Sequence, residues 1–506
     1  MSLLLLALAC KDDPPVDSVV VSTPECPAGR LDEARSWTAT DLDGDSGVAA
    51  PNPLDHPNYS GPGMAVLDID QDGWLDIAPA NPDRDIRVLM GGEGGFTVGE
   101  LVIPQAVSIA AADLDGDGAD ELFVGRWDGA SDLVGRPDGA GGYTWTELPG
   151  TQEEQSHGFT FADFDGDGDL DLFLSRSRSW PEEQRILSGN EPGILSLYFE
   201  NQNGELVADA EAVSEEDAIG LTFLAQVLDA EGDGDLDLYL GRDFGAYVTP
   251  NLLLLNDGSG RFSRDPGGTA DLSVYGMGIG VGDIDGNAQP DLYVTNIGSP
   301  ILLTNFGGSF VDATAALKAE VPPSEDRQTS WGTALIDLDL DGWPEAPVRF
   351  GTLIFWFETY VEDSNGVRWD ESQAQPDALM WNQDGVMVPM EGFDDEAAGR
   401  GLVTGDWNRD GLPDLMTASW VGTEQIRLRA WLSMDGCGER ATLQVPPGTR
   451  VRSARGTQWA APVNSFSSSA QEVYLALDAG DQVEVQLPGQ AVQTLTLKAG
   501  EIRSLW

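Results

Sequence analysis

One nine-residue pattern, D-x-D-x-D-G-x-x-D, recurs seven times with small variations and constrains the fold more than any other feature of the chain. The copies are DIDQDGWLD (Asp68, Asp70, Asp72, Asp76), DLDGDGADE (Asp113, Asp115, Asp117, Glu121) and DFDGDGDLD (Asp163, Asp165, Asp167, Asp171). They continue as DAEGDGDLD (Asp229, Glu231, Asp233, Asp237) and DIDGNAQPD (Asp283, Asp285, Asn287, Asp291). The last two are DLDLDGWPE (Asp337, Asp339, Asp341, Glu345) and DWNRDGLPD (Asp406, Asn408, Asp410, Asp414). Their starts are spaced by 45, 50, 66, 54, 54 and 69 residues. That spacing suits four-stranded propeller blades with loop insertions, and neither leucine-rich nor helical repeats.

The flanks carry the same message. Apolar runs such as MAVLDI, FTFADF and IGVGDI lead into the loops, and LDIAPA, LDLFLS, LDLYLG and PDLYVT lead out. These are strand-length segments on either side of a turn. A glycine stands five residues before the first aspartate in five copies (Gly63, Gly158, Gly278, Gly332, Gly401), as crowded inner strands near a central axis would favour. VLMGGEGGFT and LLLLNDGSGRF read as hairpins. Each repeat is therefore strand, acidic loop, strand, hairpin. The predicted fold is all-β: a seven-bladed β-propeller with calcium loops over residues 36–430, followed by a small C-terminal β-domain over 431–506.

Carboxylates at positions one, three, five and nine of such a loop converge on one point if the chain curls around it, which the glycine at position six permits. An all-oxygen set of this kind suits Ca²⁺ better than Zn²⁺ or Mg²⁺. Up to seven calcium ions are thus expected, on the 28 loop residues named above. The fifth loop, with Ala288 for the turn glycine and Asn287 for an acid, is expected to be the weakest, and the seventh carries Asn408 at position three. An EF-hand is excluded, because its bidentate glutamate at position twelve is replaced here by Pro79, Val124, Leu174, Leu240, Val294, Val348 and Thr417.

Charge narrows the partners. With 86 acidic and 27 basic residues in 506, the net charge is −59, which repels nucleic acid and anionic membrane surfaces. Two histidines, His56 and His157, are too few for a histidine-rich metal site. The three cysteines, Cys10, Cys26 and Cys437, form no CxxC pair. The start MSLLLLALAC reads as a short lipoprotein-like signal over residues 1–10, with Cys10 as the acylated residue and the only membrane attachment expected; plain secretion is the alternative. Cys26 and Cys437 are then left as candidates for a disulfide. Residues 11–35, rich in Pro and Asp, read as a tether.

These loops resemble the FG-GAP or VCBS-type repeats of integrin α-subunit propellers. The stretch GRGLVTGDWNRDGLPDL (Gly399 to Leu415) is similar to the blade signature of the cartilage acidic protein and ASPIC/UnbV family. In that family a small β-domain follows the propeller, and the run of alternating strands from Glu439 fits one, although TQWAAPVNSFSSS after Gly456 departs from the family pattern. The resemblance implies calcium binding, adhesion, and contact with a protein or glycan ligand at the cell envelope or outside the cell. No catalytic residue is expected. A propeller enzyme acting on polysaccharide, and a scaffold capturing a partner through the C-terminal domain, are the alternatives. Two insertions, Ser175 to Gly193 and the aromatic-rich Pro347 to Leu379, depart from blade regularity and read as an extra hairpin, a plug over the axis, or a ligand site.

Overall fold

The computed structural model describes residues 30–38, 63–177, 193–322, 329–351, 361–362, 368–369, 375–460, 471–477 and 481–505, less a few short loop positions. The fold is all-β, with one described helix of a single turn, Glu215–Ala218, capped by Ser214. Among the described residues, seven antiparallel four-stranded sheets each carry one acidic loop. In every case the loop joins the first strand to the second. In the first sheet Met64–Leu67 leads into the loop, Asp76–Pro79 leads out, and Ile86–Met90 and Thr97–Ile103 complete the sheet.

The first strands are Met64–Leu67, Ser108–Ala112, Gln155–Ala162, Thr222–Leu228, Ile279–Gly282, Ser330–Thr333 and Ala398–Gly405. Each lies against the first strand of the next sheet, and the last lies against the first, so the neighbours run in cyclic order. Burial follows from this placement. Inner strands are covered on both faces and read as continuous apolar runs, with Gln155–Ala162 and Thr222–Leu228 buried throughout. The fourth strands Phe262–Arg264 and Phe310–Asp312 are mostly exposed. Core clusters fill the space between adjacent sheets; in one of them Phe123 of the second sheet meets Phe161 of the third at 4.6 Å between ring centroids.

The glycines before the loops mark where these strands crowd. A Cβ on Gly158 would sit 2.8 Å from the Phe223 carbonyl of the next sheet. One on Gly278 would sit 2.3 Å from that of Trp331, and one on Gly332 2.5 Å from that of Arg400. No side chain fits such gaps.

The seventh sheet is completed from the far end of the sequence. Ala398–Gly405, Asp414–Val421 and Gln425–Met434 are joined by Arg30–Thr38, antiparallel to the third of these, from Arg30 opposite Met434 to Thr38 opposite Arg427. That strand opens at Arg30, inside the stretch read from composition as a tether.

Residues from Glu439 onward form two further sheets. One holds Glu439–Gln444, Glu472–Leu477 and Ile502–Ser504, the other Arg450–Arg452, Thr457–Trp459, Gln482–Gln486 and Gln493–Thr496. They enclose their own core of Leu443, Val451, Val473, Leu475, Val483 and Val485. This pair sits on the acidic-loop end of the fourth, sixth and seventh sheets. The Gly489 N–H donates to the Gly234 carbonyl at 3.3 Å, and Arg440 Nη1 to the Asp410 carbonyl at 2.8 Å. Leu340 and Leu412, from loops six and seven, pack on Tyr474 and Ala476.

Candidate metal centres

All seven loops share one winding. In the first, the Asp68 carboxylate accepts the N–H groups of Asp72 (3.1 Å) and Gly73 (2.7 Å). Asp70 accepts from Asp72 and Asp72 from Trp74, at 3.3 and 2.8 Å. The chain turns twice through the left-handed region, at positions four and six: Gln71 (φ 56°) and Gly73 (86°) in loop one, Leu340 (58°) and Gly342 (101°) in loop six. Position six is the glycine noticed in the sequence. Position four carries the same demand, although Gln71, Leu340 and Arg409 stand there without being glycine. The fifth loop winds identically: Ala288 adopts φ 63° and still donates to Asp283 at 2.8 Å, while Asn287 donates from its side chain to the Asn305 carbonyl at 2.9 Å.

The acid at position nine is buried in every loop: Asp76, Glu121, Asp171, Asp237, Asp291, Glu345 and Asp414. One oxygen accepts the N–H of position two, as with Ile69 to Asp76 at 2.7 Å and Leu338 to Glu345 at 2.8 Å. In five loops the other oxygen accepts an N–H from further along the same sheet: Gly91, Asn201, Asn256, Asn305 or Ser433, at 2.7 to 2.9 Å. This residue therefore ties the loop to its own sheet as well as facing the other acids. An oxygen that accepts one hydrogen bond keeps a second lone pair for a cation.

The acids converge. Among the described residues, five groups of three each offer carboxylate oxygens within 4.8 Å of one another. They are Asp68, Asp70 and Asp76; Asp113, Asp115 and Glu121; Asp163, Asp165 and Asp167; Asp283, Asp285 and Asp291; and Asp337, Asp339 and Glu345. In the seventh loop Asn408 supplies an amide oxygen where the others have an acid, and in the fourth Glu231 brings a longer side chain beside Asp229, Asp233 and Asp237.

Crowding is visible in the electrostatics. Burial first, then like-charged neighbours, push Asp76, Glu121 and Asp171 up to about 7, and Asp291 to about 8. Glu345 and Asp414 lie well above the carboxylate range for the same reasons. At position one, burial pushes Asp406 to about 6 and raises Asp68, Asp113, Asp163, Asp229 and Asp283. Groups pushed this way favour either a proton or a cation. The donor set is carboxylate oxygen, with a carboxamide at Asn287 and Asn408, which fits a hard divalent ion.

A second recurring residue escaped the reading of the sequence. Asn201, Asn256, Asn305 and Asn382 close the third strands of sheets three to six, and each donates from Nδ2 to the carbonyl at position two of the preceding sheet's loop. The acceptors are Leu114 (2.7 Å), Phe164 (2.7 Å), Ala230 (2.8 Å) and Ile284 (3.1 Å). Each Oδ1 accepts from a glycine of its own hairpin, Gly204, Gly258, Gly308 or Gly385. These residues staple loops two to five to the next sheet. Loop-to-loop contacts continue around the cycle, with Gln71 donating to the Gly118 carbonyl at 3.0 Å and the Arg409 guanidinium lying 4.4 Å over the Trp74 ring.

Elsewhere, His157 is buried edge-on to Phe223, and desolvation lowers its pKa to about 3. Between sheets six and seven, Arg349 pairs with Asp377 and Asp395, and Asp395 with Arg427 and the Ser419 hydroxyl. Cys10, Cys26, Cys437, His56 and most of both insertions lie outside the described residues.

No curated protein matches the chain by sequence. Among solved structures, the Vibrio cholerae biofilm matrix protein Bap1 aligns at 13% identity over 88% of this chain and 81% of its own, with a TM-score of 0.29. The SapL1 lectin, solved with alpha methyl fucoside, aligns at 12% identity over 68% of this chain and 99% of its own, with a TM-score of 0.37. The Photorhabdus luminescens Tc holotoxin pore aligns at 14% identity over 84% of this chain and 19% of its own, with a TM-score of 0.32. The profile of a family described as an FG-GAP-like repeat matches residues 68–124 and 113–174, and the chain carries FG-GAP-like repeats at these two positions.

Proposed function

We propose that the chain is a calcium-binding β-propeller that works outside the cytosol as an adhesive or ligand-binding protein. Its seven sheets act as the blades of one closed ring; because Gln425–Met434 is a strand of the seventh, the small β-domain seated on the ring begins near Glu439 and not at the residue 431 expected from sequence. One observation carries this reading: the same loop winding occurs between the first two strands of every sheet, and in five loops it brings three carboxylates within 4.8 Å. The cyclic order of the first strands, and the strand Arg30–Thr38 pairing into the seventh sheet, support ring closure. The stretch from Gly399 to Leu415 and the β-rich tail support an ASPIC/UnbV-type arrangement.

Positions one, three, five and nine would hold the ions. Bound calcium would cancel the like-charge cost of each loop and fix the first two strands of its blade. Seven ions would add +14 to the chain's −59, leaving −45, so a loaded surface still repels polyanions. Loops of extracellular modules bind at about 10⁻⁴ to 10⁻³ M, which matches calcium outside cells. We take calcium to be structural and the protein to be a binder of protein or glycan, not an enzyme. Buried acids outside the loops support this, being committed to internal partners: Asp132 to Ser156 and the Arg126 N–H, and Asp377 and Asp395 to Arg349.

The test is a calcium count on the purified chain, with unfolding followed in millimolar Ca²⁺ and in excess chelator. About five to seven ions and a large fall in Tm on chelation are expected. A count near zero with unchanged Tm refutes the proposal.

A further inference from the structure

The sixth loop is covered more completely than the fourth and seventh, the other loops the C-terminal sheets touch. Asp339 at position three is 3% exposed, whereas Asp70, Asp115 and Asn408 at the same position of loops one, two and seven are open to solvent. The cover is the C-terminal pair of sheets. Its Arg455–Gly456 turn presses on the loop so closely that a Cβ on Gly342 would lie 1.9 Å from the Arg455 carbonyl, and one on Gly456 2.8 Å from the Gly342 carbonyl. Gln458 Nε2 donates to Asp337 Oδ2 at 3.4 Å, and Leu340 packs under Tyr474 and Ala476.

Beneath this cover lies an uncompensated atom. Glu345 Oε2 accepts the Leu338 N–H at 2.8 Å, but Oε1 has no hydrogen-bond partner although the residue is fully buried. In five sister loops the corresponding second oxygen takes a backbone N–H from the same sheet. An unpaired buried carboxylate oxygen is costly, and here it belongs to a trio whose carboxylates offer oxygens within 4.8 Å of one another. A cation would complete that oxygen where no protein group does.

Building on the calcium reading above, we infer that the ion of loop six is a clasp between the ring and the C-terminal sheets, enclosed by them and released only when they lift. Coupling of this kind is reciprocal: the seated sheets retain the ion, and the ion holds the sheets in place. The open loops exchange their calcium freely, while loop six exchanges at the rate of undocking.

The test uses the full-length chain loaded with ⁴⁵Ca²⁺ and diluted into excess chelator. One ion per chain is expected to leave in a separate phase, slower by on the order of tenfold or more, since each ~1.4 kcal/mol of docking contributes a factor of ten. Glu345→Gln should remove that ion and that phase while the remaining ions stay, and Glu121→Gln in the open second loop should leave the slow phase intact. Gly456→Val, which places a side chain against the Gly342 carbonyl and leaves the carboxylates untouched, should keep the ion count and abolish the slowness, and it serves if Glu345→Gln fails to fold. Amide exchange over residues 439–505 should quicken when the slow ion leaves. A full complement of ions released in one phase, or a slow phase unchanged in Gly456→Val, overturns the clasp and leaves the calcium reading standing. A chain that binds no calcium overturns both.

Discussion

Asn201 lies where the second loop meets the third sheet, 1% exposed. Its Nδ2 donates to the Leu114 and Leu170 carbonyls at 2.7 and 3.1 Å, and its Oδ1 accepts the Gly204 N–H at 2.7 Å. Asn201→Ala deletes all three bonds and strands buried backbone groups on two sheets. At about 1 kcal/mol net for each neutral hydrogen bond, the loss is about 3 kcal/mol. Spread over an unfolding entropy of roughly 2.1 cal/mol/K per residue for roughly 400 residues, this lowers Tm by about 3–4 °C. Asn201→Asp keeps the acceptor for Gly204 but turns a carboxylate towards two carbonyls, so at neutral pH it should lose at least as much. Calorimetry in calcium and in chelator is the assay. The bonds join protein groups, so the penalty should appear in both conditions. A change of under about 1 °C for Asn201→Ala in both would show that water replaces the staple at no cost and would refute the reasoning.

Ala288→Gly, which relieves a left-handed alanine at φ 63°, should raise stability by about 0.5–1 kcal/mol in chemical denaturation, and a loss would contradict the strain assigned there. Asp395→Asn breaks the pairing of buried Arg349 and should cost about 3–5 kcal/mol by the same assay; a cost below about 1 kcal/mol would show that Arg349 finds other partners. In chelator, Asp76 and Asp291, pushed by burial from 3.8 to about 7 and about 8, hold protons in the folded chain that the unfolded chain has lost. The folded state then binds more protons, so ion-free stability should fall as pH rises from about 4 to about 8, and calcium should flatten that slope; an ion-free Tm that rises across this window would contradict it.

The loops were legible because all their determinants sit within nine residues: alternating acids and a glycine at position six. The strands around them were legible for the same local reason, and Gly158, Gly278 and Gly332 proved to mark close strand contacts as expected. Distance in sequence hid the rest. Asn201, Asn256, Asn305 and Asn382 follow their position-nine acids by 30, 19, 14 and 37 residues, so insertions scramble a spacing that the folded sheets keep constant. The Arg349 cluster draws on residues 377, 395, 419 and 427, which no local pattern connects. Position four gave no signal because Gln71, Leu340 and Arg409 adopt the left-handed conformation without being glycine. The first part of the strand Arg30–Thr38, Arg30 to Arg35, with its four charged residues, looked like a linker because it takes its pairing from the far end of the repeats.

That strand has a mechanical consequence. Arg30 stands opposite Met434, so the chain entering at Arg30 and the chain leaving at Met434 depart from the same end of one antiparallel ladder. Tension between the segment upstream of residue 30 and the C-terminal sheets therefore peels the ladder one pair at a time, from Arg30–Met434 towards Thr38–Arg427, and does not shear all its hydrogen bonds together. Under such a load the seam is strained end-on, while the contacts of the C-terminal sheets with loops four and six share the force.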